Sequence, residues 1–68
     1  MTQPTPIERR LRIEEVMHQT GLSRAGVYRH EKTDPTFPKH IKEGSTSLWI
    51  ESEVQQWIRK SIQNARAA

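Results

Sequence analysis

The chain has 68 residues, 11 Lys and Arg against 8 Asp and Glu, a formal net charge of +3 and no cysteine. A hydrophobic content of 32% in so short a chain supports one small core, which excludes a second domain and argues against a roomy internal substrate pocket. Without cysteines there is no disulfide framework or thiolate zinc site, and no apolar run approaches the roughly 20 residues of a membrane span.

Residues 1–8 contain two prolines and two threonines with little apolar content, so they read as a disordered leader. They show no charged and apolar regions of a signal peptide. Leu11 and Ile13 flank Arg12 in the alternation of a very short strand. From Ile13, the apolar positions Val16 and Met17, followed by Thr20, have the i, i+3, i+4, i+7 spacing of a helix face. Glu14 and Glu15 suit its first turn, although Arg12 is a poor cap.

Thr20-Gly21-Leu22-Ser23 is the most informative local chemistry. Gly21 can take the left-handed conformation that ends a helix, and Ser23 can accept from the free backbone N–H groups that begin the next. Together they predict helix, tight turn, helix, the second running from about Arg24 to Lys32. With Val27 at the centre of its buried face, Arg24, His30 and Glu31 lie within about 60° of it. Ala25 and Arg29 then point nearly opposite, flanked by Gly26 on one side and by Tyr28 and Lys32 on the other. That outward face is basic with one aromatic, and Ala25 and Gly26 at its start favour close approach to another surface.

Residues 37–42, a polar turn around Gly44 and residues 47–50 read as a hairpin, with Pro38 confined to a strand start or edge. A last helix follows from about residues 50–53 to near Asn64, with Ile50, Val54, Trp57, Ile58 and Ser61 on one face. Ser52-x-x-Gln55 matches a capping box, which would start the helix at Glu53 and leave Ile50 in the strand. Residues 65–68 are expected to fray. The domain therefore spans residues 9–64, mainly α with a small β-hairpin, in the order of a winged helix-turn-helix.

These residues also resemble a known family. Residues 10–24 (RLRIEEVMHQTGLSR), Val27-Tyr28-Arg29, Phe37-Pro38-Lys39, Gly44 and residues 49–58 (WIESEVQQWI) together resemble the AlpA family of prophage regulators. The series covers roughly residues 9–60; no single short motif in it is specific, but the ordered series is. The resemblance implies a small DNA-binding regulator with a winged-helix fold akin to the DNA-binding domains of MerR regulators and phage excisionases. It implies that the second helix enters the major groove and that the hairpin wing reaches an adjacent groove or the backbone. Ser23, Arg24, Tyr28 and Arg29 fall on family DNA-contact positions. Two departures stand out. Ser45, Thr46 and Ser47 occupy a wing tip where relatives often carry arginines, and His30 and Glu31 stand where relatives often have apolar residues. The second departure implies a shorter or looser end to the second helix.

Chemistry assigns the roles. The Arg29 guanidinium can bond guanine O6 and N7 as a fork, so it is the expected base reader. Tyr28 and Lys32 are expected on phosphate, and Ser23 shares its hydroxyl between capping and phosphate. For Arg24 a phosphate contact and a surface ion pair stand level. Ala25 allows close approach, and Lys39, Lys42, Ser45 and Thr46 complete the set from the hairpin. Trp49 and Trp57 lie in apolar patterns and read as core rather than as base-stacking platforms. His18, His30 and His40 lack metal-ligand spacing, and no nucleophile is paired with a base, so neither a metal, a cofactor nor an enzyme is expected.

The leading expectation is a cytoplasmic, nucleoid-associated transcriptional regulator of a prophage or integrated element that binds double-stranded DNA. One alternative is an excisionase-like architectural factor directing recombination. Another is an interaction module whose basic helix docks an acidic partner. Pairing on repeated half-sites, as a homodimer or cooperative assembly, is expected, with RNA polymerase or an integrase as further partners.

Overall fold

Among the described residues, Gly21 (φ 76°) and Gly44 (φ 63°) are the two with positive φ, and the chain reverses at each. The computed structural model describes residues 8–67. In chain order its elements are β1 (Arg10–Leu11), α1 (Ile13–Thr20), α2 (Arg24–Thr33), β2 (Ile41–Glu43), β3 (Thr46–Ile50) and α3 (Glu51–Ala67). Gly21 ends α1 in the left-handed conformation, its N–H donating to the Met17 carbonyl. Gly44 opens a two-residue turn between Glu43 and Thr46, where only the first turn residue has positive φ, the arrangement of a II′ hairpin.

The strands form one antiparallel sheet in the order β1-β3-β2. Arg10 pairs with Ile50 and Leu11 with Trp49 on one side of β3. Ile41 pairs with Leu48, Lys42 with Ser47 and Glu43 with Thr46 on the other. β1 thus turns the hairpin into a three-stranded sheet, and a third strand matters because an isolated hairpin is marginal in water. Three helices with a small antiparallel sheet make a winged helix-turn-helix.

The core is Leu11, Ile13, Val16, Val27, Phe37, Trp49 and Val54, with Met17, Leu22, Tyr28, Trp57 and Ile58 packed against it. It lies between the helices and the inner face of the sheet. Trp49 is fully buried, and its indole N–H has no hydrogen-bond partner among the described residues, so packing alone holds the ring. Trp57 packs edge-on against Phe37 with centroids 4.9 Å apart, and its Nε1 donates to Asp34 Oδ2. Trp49 is a core residue, and Trp57 is half-buried against the core.

Several boundaries differ from expectation. α3 starts at Glu51, directly after β3, inside the expected window of 50–53 but ahead of the Glu53 start that the Ser52 capping box would give. The Glu51 N–H donates to the Arg9 carbonyl at 2.8 Å, so the N-terminal segment satisfies the helix start and Ser52 is released to donate to Glu8. α3 also continues to Ala67 instead of ending near Asn64, since Ala65, Arg66 and Ala67 contain no breaker and Arg66 suits the negative helix end. Residues 1–7 of the expected leader and Ala68 lie outside the described residues. No helix among the described residues is long and apolar enough to cross a membrane.

Candidate nucleic-acid interface

The turn between α1 and α2 sets the orientation of the second helix. Thr20 Oγ1 donates to the Val16 carbonyl and accepts the Leu22 N–H, closing α1 around Gly21. Ser23 Oγ then accepts the Gly26 N–H at 3.0 Å, the N-cap expected of it. Val27 and Glu31, one turn apart, are the buried positions of α2. That phase leaves Ala25, Arg29 and Lys32 exposed along the opposite stripe. Arg29 and Lys32 make no ion pair with any described residue.

Two residues on the flanks of α2 point elsewhere than expected. Tyr28 is half-buried instead of lying on the open face. Its ring centroid stands 5.9 Å from that of Trp49 and 6.2 Å from that of His40, so it bridges α2 to the sheet. At about 100° from Val27 it sits on the border of the core, and the sheet supplies apolar surface there. Gly26 makes its close approach inside the domain. A Cβ at this position would stand 3.1 Å from Ser23 Oγ and 3.5 Å from Leu22 Cβ, so the missing side chain makes room for the turn.

The end of α2 is tighter than the resemblance implied, and the helix runs on to Thr33. Glu31 is buried at 7% exposure, accepts the His40 N–H at 2.7 Å and receives the His40 Nδ1 at 2.8 Å. His30 donates to the Gly26 carbonyl and packs between Phe37 and Trp57. Thr33 Oγ1 donates to the Arg29 carbonyl, and Asp34 N–H to that of His30. Polar residues at 30 and 31 therefore strengthen this end through specific partners.

The remaining expected site residues separate into free and engaged groups. Arg24 pairs with Glu14 at 3.1 Å on the surface. A backbone hydrogen bond, followed by the Arg24 guanidinium, holds the Glu14 carboxyl below its ordinary value. Lys39 Nζ donates to the Glu31 carbonyl near the end of α2, so it is not a free cation beside Arg29. Lys42 is exposed on β2 and pairs across to Ser47, leaving the sheet on the face of Trp49, where Tyr28 packs. At the wing tip Ser45 is exposed and Thr46 half-buried. The arrangement offers unpaired cations at Arg29, Lys32 and Lys42, hydroxyls at the start of α2 and the wing tip, and a small residue, Ala25, facing out.

The residues missed by sequence reasoning as a unit are Glu31 and His40. Helical phase places Glu31 at the core border, but its partner lies nine residues on, across an irregular loop, where periodicity carries no signal.

Comparison with known proteins places the chain. The family described as "Prophage CP4-57 regulatory protein (AlpA)" matches residues 9–62. The chain is 38% identical over 54 residues to the "DNA-binding transcriptional activator AlpA" of Escherichia coli (strain K12), an alignment spanning 71% of this chain and 77% of that protein. It is 39% identical over 55 residues to "Uncharacterized protein ORF88" of Enterobacteria phage P4, covering 81% of this chain and 62% of that one. No solved structure matches it. A family match across both helices of the turn, the wing and most of α3 leaves no element of the site outside it, and the chain belongs to the AlpA family of prophage regulatory proteins.

Proposed function

We propose that this protein is a sequence-specific transcriptional regulator that binds double-stranded DNA with α2 in the major groove and the wing on flanking backbone or minor groove. The observation that carries this reading is the exposed stripe of Ala25, Arg29 and Lys32 on a helix whose opposite face is locked by Val27 and Glu31. A helix fixed in this way presents a small residue and two unpaired cations without reorganising. The name of the Escherichia coli relative, a DNA-binding transcriptional activator, supports the same reading.

In this mechanism Arg29 reads guanine through a bidentate contact. Lys32 and Lys42 neutralise phosphate, and Ser23, Ser45 and Thr46 donate to phosphate oxygens. Tyr28 contributes through its hydroxyl edge while its ring stays on Trp49. Arg24 exchanges Glu14 for phosphate on binding, because exposed ion pairs hold weakly. Lys39 acts from behind, by fastening the end of α2. A single small helix gives limited affinity, so two or more copies bind adjacent half-sites.

Fluorescence anisotropy on labelled duplexes across a salt series tests the proposal. About three to six phosphate contacts give a slope of log K on log salt of about −3 to −5. Absence of binding to any duplex at low salt would overturn it.

A further inference from the structure

A small antiparallel sheet that packs one face on a core normally turns polar side chains outward on the other. This sheet does so only in part. Trp49 is fully buried on the inner face, so its neighbours Leu48 and Ile50 project from the outer one. Cross-strand pairing puts Ile41 beside Leu48 on that same outer face, and Ile41 is 41% exposed. The outer face also carries the Arg10–Glu43 ion pair, which reaches from β1 to β2 across β3.

Beside this apolar strip runs an open groove of about 810 Å³ between the wing and α3, within the size range of ligand-holding clefts. Ile41, Ile50 and Trp57 line it with Lys39, Arg59 and Lys60, and Glu53 is the one carboxylate among its described lining residues. Apolar floor and basic rim occur together here, on a surface separate from the Arg29 stripe.

We propose that this groove and the outer face of the wing form a docking surface for an acidic, amphipathic peptide segment of a partner protein. The inference does not depend on DNA binding by α2. Charge complementarity selects the occupant: aliphatic side chains cover Ile41 and Ile50 while carboxylates meet Arg59 and Lys60. A second copy of this chain is a poor occupant. Its own groove carries Lys39, Arg59 and Lys60 against one carboxylate, Glu53, so two such rims brought together repel. A phosphate backbone would meet the cations but leave the aliphatic floor exposed to water.

The test uses the full chain and a fluorescein-labelled amphipathic peptide of Leu, Asp and Glu, with a control in which Lys replaces each acid. Saturable binding of the acidic peptide is expected, with NMR shift changes centred on Ile41, Leu48, Ile50 and Trp57. Ile41→Ser and the double variant Arg59→Gln/Lys60→Gln should each weaken it about tenfold, or ~1.4 kcal/mol, with unchanged thermal transitions, and Arg29→Ala should leave it intact. The proposal is overturned by absence of saturation at millimolar peptide, or by equal binding of the Lys control. It is equally overturned if Ile41→Ser removes duplex affinity instead, or abolishes a concentration-dependent dimer seen by sedimentation.

Discussion

The buried carboxylate of Glu31 on α2 holds both the backbone N–H and the imidazole of His40, at 2.7 and 2.8 Å, just before the first wing strand. This side chain therefore joins α2 to the segment that opens the wing. Glu31→Ala should lower stability by about 1–3 kcal/mol, because it leaves the half-buried His40 N–H and imidazole without their acceptor. Glu31→Gln keeps an acceptor for the amide and should lose less. Thermal unfolding followed by circular dichroism separates the two; equal melting of the alanine variant and the parent would show that the link is idle.

Arg29→Ala should reduce preference for a site selected from random duplexes by about 1–3 kcal/mol without changing the melting temperature. Lys32→Ala should weaken all duplexes alike and make the salt slope shallower by about 1. If both variants behave identically, Arg29 does not read bases.

Gly21 holds φ 76° with nothing within 4 Å of the place a Cβ would occupy, so a side chain there meets backbone strain but no clash. Gly21→Ala should cost about 1–2 kcal/mol, and Gly21→Asn less, since Asn tolerates the left-handed region. For a domain of this size each kcal/mol moves the midpoint by about 4–8 °C. An alanine variant that melts with the parent would contradict the turn geometry.

Asp34 ties the end of α2 to α3. The Thr36 hydroxyl and amide, followed by the Trp57 indole, lower its carboxyl from 3.8 to about 2. A folded-state value below the unfolded one means that this contribution is fully present above about pH 3.8 and is lost as the pH falls towards 2. Melting temperature against pH should thus fall across that window, and Asp34→Asn should flatten this part of the curve. An unchanged acid limb in the variant would remove Asp34 from the account.

How much of the fold is legible in the sequence differs by element. Gly21 and Ser23 announce the turn because their chemistry is local: one relieves a backbone penalty, the other supplies an acceptor. Val27 sets the phase of α2, and with it the outward direction of Arg29 and Lys32. The start of α3 is hidden because Ser52 looks like a cap, while the actual partner of that helix end is the Arg9 carbonyl, 42 residues before Glu51. Tyr28 and Lys39 escape for the same reason, since their partners belong to other elements. Spacing reports which face a residue occupies; it does not report what waits opposite a border position.

Tyr28, Trp49 and His40 form an aromatic bracket between α2 and the sheet, with His40 and Trp49 centroids 5.4 Å apart. The bracket ties α2 to the sheet and sets the width of the gap between helix and wing. Under the proposed binding mode, a duplex that engages both must bring its grooves to that width, and stiff or wide-grooved sequences spend elastic energy doing so. Base pairs lying under the gap, untouched by any side chain, would then be sorted by how readily they deform.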